Sequence, residues 1–310
     1  MRRHLQIGRM KCMTTLRHKK IGPFINRNLS GWLLMLFPVA AFFIVVWRPI
    51  IIGISYSFFH MTGFTIDGFA GLRNYQDVLT DTNFLSTLKN TVGYVGWSLI
   101  IGLPLPFIAA VILNEMVHGK TFFKFATYLP VVVPSVAVSL IWKTIYMDGS
   151  GGLLNMLLQW AGAAPVQWLS NPDIVILLIV ISMTWQGFGG TLIIYLATLQ
   201  SVNQDLYEAA RIDGAGFFRR IRCVLMPHMW PLILLMTIRQ IIAVFQVVEQ
   251  PMVMTGGGPN GASMSLGLTN YYYAFKFGQF SKSMALGVIM FLMMLIFTVI
   301  YFKLDRKFAE

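Results

Sequence analysis

Long, unbroken apolar blocks dominate this sequence. They recur six times between residues 32 and 303. Each is long enough to cross the ~30 Å hydrocarbon core of a bilayer, which takes ~20 apolar residues in a helix. Inside that core every backbone N–H and C=O must find its partner within the protein, so only helices and closed barrels span it. Barrel strands alternate apolar and polar residues, and these blocks do not. The blocks therefore predict an all-α membrane protein. Composition agrees: 56% of the 310 residues are hydrophobic and 12% charged, against ~25% charged in soluble domains.

The six predicted transmembrane helices run over 32–58, 88–114, 121–146, 173–199, 228–250 and 283–303. Their orientation follows from the basic residues. Arg2, Arg3, Arg9, Lys11, Arg17, Lys19, Lys20 and Arg27 precede the first block. Lys120, Lys124, Arg211, Arg219, Arg220, Arg222, Lys303, Arg306 and Lys307 fall in segments on the same side. The opposite side holds only Arg73, Lys89, Lys276 and Lys282. Cytoplasmic loops carry the excess of Lys and Arg, so both termini are cytoplasmic. The chain divides into a basic tail (1–31), a six-helix transmembrane domain (32–303) and a short C-terminal tail (304–310).

The net charge of +12 is thus a topology signal with affinity for anionic membrane lipid, and it calls for no nucleic acid. A signal peptide is disfavoured, because the run from Trp32 to Phe59 is too long and lacks a small-residue cleavage site. Cys12 and Cys223 both fall in cytoplasmic segments, which argues against a disulfide or a metal site. His60, His118 and His228 are isolated from one another. On the outer side, Leu153–Trp160 has the pattern of a short interfacial helix. Segment 251–282 carries Thr255-Gly256-Gly257-Gly258-Pro259 and an aromatic cluster, Tyr271, Tyr272, Tyr273, Phe275 and Phe277.

The loop at 201–227 is the most informative cytoplasmic stretch. Asp205 and Glu208 resemble a capping box at a helix start. Ala209 and Ala210 favour helix and let a partner approach closely. Gly214 and Gly216 then break the helix. A second helical segment follows from Phe217 to about Val224, and Pro227 marks entry to the fifth span. A short helix, a glycine turn and a second helix make a rigid knob at the membrane surface, suited either to a cytoplasmic partner or to lipid headgroups.

The segment Leu206-Tyr207-Glu208-Ala209-Ala210-x-Ile212-Asp213-Gly214-Ala215 resembles the EAA loop of permease subunits in bacterial binding-protein-dependent ABC importers, in its carbohydrate-uptake form. Other segments agree in order: Phe69-x-Gly71-Leu72-x-Asn74-Tyr75, Asn90-Thr91, Leu129-Pro130, Trp142, the Thr255–Pro259 run and Ala274-Phe275. Two positions depart from the family pattern: Val224-Leu225-Met226-Pro227 replaces Ile-x-Leu-Pro, and Arg48 stands where an apolar or aromatic residue is usual. The resemblance implies a type I importer permease in the bacterial inner membrane, forming half of a translocation pathway. Its partners would be a second permease, two ATPase subunits and an extracytoplasmic solute-binding protein. Leu206, Tyr207, Glu208, Ala209, Ala210, Asp213, Gly214 and Ala215 would couple to the ATPase, with Glu208 pairing with a basic group there. The chain has no Gly-x-x-x-x-Gly-Lys-Ser/Thr loop, so ATP and Mg are expected in the partner ATPase, with no cofactor and no catalysis in this chain.

Polar residues within spans are candidates for the pathway. Arg239, Gln246 and Gln250 fall on one face of an uninterrupted fifth helix; alternatively Arg239 ties helices together. Trp185 and Gln186 sit near the middle of the fourth span beside Gly187, Gly189 and Gly190. They suit sugar stacking and hydrogen bonding, or else the glycines make a helix–helix contact and Trp185 fills a gap. The cargo is expected to be a sugar or oligosaccharide, with an acidic sugar or glycerol phosphate also compatible. An ion-gradient-driven secondary transporter is the rival reading, and Glu249 would be its candidate coupling residue. An intramembrane enzyme would need a carboxylate cluster or a His pair that the spans lack.

Overall fold

The computed structural model describes residues 29–63 and 65–309. All Lys and Arg of the basic tail, and Cys12, lie outside the described residues. The chain divides into two units, residues 1–52 and 53–310. The described part of the first unit is the start of helix α1 (29–56), which carries Pro38 and a π turn at Phe43–Trp47.

The second unit opens with a two-stranded antiparallel hairpin, β1 (Phe59–Thr62) and β2 (Thr65–Phe69), with Phe59 opposite Phe69 and Thr62 opposite Thr65. Helices α2 (Arg73–Leu79), α3 (Phe84–Glu115), α4 (Lys120–Val132), α5 (Ser135–Ile145), α6 (Leu153–Trp160) and α7 (Val175–Leu199) follow. The chain continues through α8 (Gln204–Ile212), α9 (217–245), α10 (Glu249–Met254), α11 (266–276) and α12 (Phe280–Ala309). By length and hydropathy, α1, α3, α7, the run Phe217–Met254 and α12 each suffice to cross a membrane; α4 with α5 makes a sixth crossing if that pair counts as one span.

That pair corrects the expected straight helix over 121–146. It bends by 98° at Val133 and Pro134, both in extended backbone. Pro134 has no N–H to continue the ladder, and its ring forces the residue before it out of the helical region. Hydropathy averages over a window and does not register such a bend. Two other boundaries move. The fifth span does not begin at Pro227, because α9 runs unbroken from Phe217 through it. The last helix passes residue 303 and continues to Ala309.

Proline also explains how α9 stays whole. Three π turns each end two residues before a proline: Phe43–Trp47 before Pro49, Ser98–Gly102 before Pro104 and Ile221–Leu225 before Pro227. A proline removes one i→i−4 bond and its ring crowds the carbonyl four residues back. A turn widened to i→i−5 just upstream accommodates that ring without breaking the helix.

Helix α7 is central. Its cytoplasmic half packs Leu192, Tyr195, Leu196 and Leu199 against Ala110, Val111 and Leu113 of α3 and against Leu225, Met229 and Met236 of α9. Its outer half joins Val175, Leu178 and Ile179 to Tyr94, Tyr146, Val244 and Met254. A third cluster joins Val78 of α2, Phe245, Leu266, Tyr273 and Leu286. Between α5 and α7, Asn155 organises the outer segment: it is fully buried, and its amide bonds the carbonyls of Met147, Gly149 and Val166 while its Oδ1 accepts from Val166 N–H and Trp168 Nε1–H. Helix α6, within that segment, spans Leu153–Trp160 as its sequence pattern indicates.

Candidate functional site

The cytoplasmic knob forms as a helix–turn–helix. Asn203, rather than Asp205, caps α8: its Oδ1 accepts the Asp205 N–H at 2.9 Å, satisfying a donor that the first turn leaves unpaired. Asp205 then sits in the first turn, where a negative charge complements the helix dipole. Gly214 adopts the left-handed conformation, φ 76°, and Ala215 N–H reaches back to the Ala210 carbonyl at 2.9 Å. That is a Schellman ending, with glycine in the position where a side chain would be strained. Gly216 is extended and begins α9.

The knob presents Leu206, Ile212 and Phe218 at 60%, 86% and 82% exposure. Glu208, Ala209, Asp213 and Gly214 are also exposed, whereas Ala210 and Ala215 are partly buried. Glu208 makes no ion pair within the described residues. It borders a cavity of about 530 Å³ together with Asn114, Glu115, Lys120 and Leu225.

Tyr207 turns inward instead. Its hydroxyl donates to the Glu115 carboxylate at the cytoplasmic end of α3, its body packs against the inner core cluster, and the Arg220 guanidinium lies over its ring at 4.7 Å. Tyr207 therefore ties the knob to α3 and α9, while Leu206 and Glu208 face outward. Sequence reasoning missed Glu115 and Arg220, whose roles arise from contacts 92 and 13 residues away from Tyr207 in the chain.

Within the membrane, the polar candidates split into two places. The α9 helix stops at Phe245, and residues 246–248 leave helical geometry before α10. Ser265 donates to the Val247 carbonyl at 2.6 Å, and Gly267 allows the backbone there to come so close that a Cβ would meet Val247 O at 2.7 Å. The expected single face through Arg239, Gln246 and Gln250 is therefore interrupted. Gln246 donates toward Met294 Sδ of α12 at 3.1 Å. Gln250 points instead to Gln186 Oε1 of α7, at 3.4 Å. Gln186 Nε2 in turn reaches the Val133 carbonyl at the bend, also at 3.4 Å, and Ser135 at the start of α5 donates to Glu249. A polar cluster thus gathers where α4 and α5 part. Arg239 is exposed and has no hydrogen bond or ion pair among the described residues.

Trp185 is 42% exposed and meets Trp142 edge-on, with centroids 5.9 Å apart. Of the glycines beside it, Gly189 makes a helix–helix contact: a Cβ would lie 2.2 Å from the Thr127 carbonyl oxygen of α4. Gly187 and Gly190 face open space. Gln240, overlooked in the sequence, packs with Thr184 against Gly102, where a Cβ would lie 3.1 Å from Gln240 Nε2.

On the outer side, α3 holds the glycine-rich loop. Asn90 Nδ2 donates to the carbonyls of Gly261 and Met264 at 2.8 and 3.1 Å, Thr91 Oγ1 accepts the Leu266 N–H at 2.9 Å, and Tyr94 donates to the Ser263 carbonyl at 2.9 Å. Nearby, Asp81 pairs with Lys282 at 2.7 Å and accepts from Tyr273 at 2.8 Å and from the Asn83 N–H at 3.0 Å. Burial opposes the Asp81 charge, but the hydrogen bonds from Lys282, Asn83 and Tyr273 and the field of the ammonium outweigh it and hold the pKa at about 2. Burial, then the bond to Asp81 and its charge, push the Tyr273 phenol well above its usual range.

Residues 102–310 match the model of the family described as binding-protein-dependent transport system inner membrane component. The trehalose/maltose transport system permease protein of Thermococcus litoralis is 34% identical over 238 residues, covering 77% of this chain and 80% of the relative. The multiple sugar-binding transport system permease protein of Streptococcus mutans is 32% identical over 280 residues, covering 90% and 96%. Among solved structures, a chain of a bacterial ABC transporter involved in the import of the acidic polysaccharide alginate superposes with a TM-score of 0.82 at 22% identity, covering 94% of this chain and 100% of that one.

Proposed function

The chain belongs to the family of binding-protein-dependent transport system inner membrane components, and on that premise we propose that it forms half of a translocation pathway for a sugar or oligosaccharide. The observation that carries the reading is the cytoplasmic knob: a capped helix, a left-handed glycine and an apolar set (Leu206, Ile212, Phe218) exposed beside Glu208, which has no ion pair among the described residues. An exposed apolar patch rimmed by charge is the form of a protein-docking surface, and here it sits at the end of the spans that would move. Its partner is an ATPase subunit, one of a pair, which binds ATP and Mg and does the hydrolysis. The other half of the pathway is a second permease, and a solute-binding protein delivers cargo from outside. The sugar-transport names of the two relatives support the cargo class, and this chain's part is non-catalytic.

Mechanically, closure of the ATPase pair moves α8, and Tyr207 carries that movement to α3 and α9. The cluster of Gln186, Gln250, Glu249 and Ser135, with Trp185 and Trp142 beside it, supplies amides, a carboxylate and aromatic rings at the bend of the third span. Such groups suit passing hydroxyls and sugar faces. Arg239 and Gln246 line the route at other depths.

The test replaces Glu208 by Ala and Gly214 by Val in the assembled transporter in proteoliposomes. Expected is loss of at least tenfold in ATP-driven sugar uptake, with membrane insertion and chain abundance unchanged. Wild-type uptake in both variants would refute the coupling role. A chain that purifies without any ATPase and takes up solute on an ion gradient alone would point to a secondary transporter instead.

A further inference from the structure

At the root of the cytoplasmic knob, a cation and an anion flank one aromatic ring without pairing with each other. The Glu115 carboxylate, at the end of α3, accepts the hydrogen bond of the Tyr207 hydroxyl at the rim of the ring. The Arg220 guanidinium, near the start of α9, lies over the face of that ring, 4.7 Å from its centroid. Among the described residues neither charge belongs to an ion pair. They are at most about 10 Å apart, a span set by the stacking distance, the length of a phenol and one hydrogen bond.

The stack leaves Arg220 incompletely satisfied. A ring face attracts the guanidinium as a whole but accepts none of its in-plane N–H groups, and Nε is buried there without a hydrogen-bond partner. Buried donors rarely stay unpaired. A carboxylate would take Nε–H and a terminal N–H together, in the forked geometry that guanidinium favours. A cavity of about 530 Å³ borders Glu115, Tyr207, Glu208 and Lys120, and of these charges only Glu115 suits. Lys120 has the same sign as Arg220 and is held on the Asn114 carbonyl at 2.7 Å. Glu208 follows Tyr207 in α8 and travels with it. Glu115 stands on a different helix, and the cavity beside it gives the phenol somewhere to go.

We propose that Tyr207 is a removable spacer: when the ATPase draws α8 outward, the phenol leaves and Arg220 closes directly on Glu115. The proposal rests on the importer reading and adds a second arrangement of the same three side chains. In one arrangement a ring spaces the end of α3 from the start of α9; in the other a charge pair draws them together. Two discrete arrangements are what coupling between distant sites requires of an element. Glu115 and Arg220 are then positioning residues for transport, in contact with neither cargo nor nucleotide.

The test uses the assembled transporter in proteoliposomes. One spin label is placed on exposed Cys223 of α9 and one on Val117→Cys, a position 84% exposed just beyond α3, with Cys12→Ser as background. Electron–electron resonance reads the distance between them without ATP and after trapping with ATP and vanadate. Expected is a shift to shorter distance on trapping, absent in Arg220→Gln. The wild-type shift needs no change to the pair, so it decides even where a variant folds poorly. Sugar delivered per ATP should fall at least fivefold in Glu115→Gln and in Arg220→Gln, and no further in the double variant, because members of a pair do not add. The exchange Glu115→Arg with Arg220→Glu should recover at least half of wild-type coupling, which a merely structural role would not give. No shift on trapping, a shift that persists in Arg220→Gln, or single effects that multiply without rescue by the exchange would overturn the proposal. A wild-type complex without ATP-driven uptake sinks the importer reading itself, whereas an importing complex without the shift sinks the spacer alone.

Discussion

Replacing Gly189 with Ala should destabilise the protein in a way that its neighbours Gly187 and Gly190 do not share. The new methyl would lie 2.2 Å from the Thr127 carbonyl oxygen and 2.6 Å from the Tyr128 Cα. Ordinary contact begins near 3.4 Å, so the methyl is about 1.2 Å and 0.8 Å too close. Both obstacles are backbone, which cannot rotate away as a side chain would, so α7 and α4 must part by roughly 1 Å. A gap of that size forfeits a quarter to a half of each dispersion contact along the seam, and overpacking of this kind costs ~1–3 kcal/mol. Against it stands the gain in helix propensity from Gly to Ala, at most ~1 kcal/mol. With the full gain subtracted, a net loss of up to about 2 kcal/mol follows. At Gly187 and Gly190 an added Cβ meets nothing within 4 Å, so Ala there should be neutral or stabilising by up to ~1 kcal/mol. Unfolding of the micelle-bound protein in an SDS titration, followed by circular dichroism, reads the difference. If Gly189→Ala unfolds with Gly190→Ala, the close approach of α4 and α7 is wrong.

Tyr207→Phe should leave abundance unchanged, since its body stays packed, but lower uptake per ATP hydrolysed several-fold; unchanged coupling would show that the bond to Glu115 transmits nothing. Because the folded-state pKa of Asp81, about 2, lies below its ordinary 3.8, the ionised pair with Lys282 stabilises the fold above that ordinary value. The contribution is lost as pH falls from 3.8 through 2. At 1.36 kcal/mol per unit, discounted for partial exposure, it amounts to ~1–2 kcal/mol. Melting curves at about pH 5 and about pH 3 should converge in Asp81→Asn, and an undiminished pH response in that variant would exclude Asp81 as its source. Asn155→Ala strands buried carbonyls and an indole N–H, so ~2–3 kcal/mol of local stability should go; limited proteolysis within 147–172 should speed up, and an unchanged cleavage rate would show the network to be dispensable.

The sequence was informative where structure is local. Apolar runs mark the spans because hydration alone decides them. The Gly214 turn and the Leu153–Trp160 helix were legible because a left-handed residue and a short amphipathic stripe declare themselves within a few residues. The break after Phe245 was not, since it is held by Ser265 and Gly267 from another segment, and the expected face through Arg239, Gln246 and Gln250 failed for that reason. Pro134 stood in plain view within the third span, yet an apolar run containing a bend has the same hydropathy as a straight one. The inward turn of Tyr207 depends on Glu115 and Arg220, which no pattern around residue 207 announces. Gly189 and Gly190 look alike in sequence, and only the position of α4 separates them.

Helix α3 runs for 32 residues, a strut of ~48 Å at 1.5 Å per residue. Its outer end grips the glycine-rich loop through Asn90, Thr91 and Tyr94, and its inner end receives Tyr207 through Glu115. Two surfaces that never see the same solvent are thereby spliced to one rod. A tilt of that rod by about 5° about its middle displaces each end by about 2 Å in opposite directions. A force on the cytoplasmic hook would then reach the external loop through this one helix.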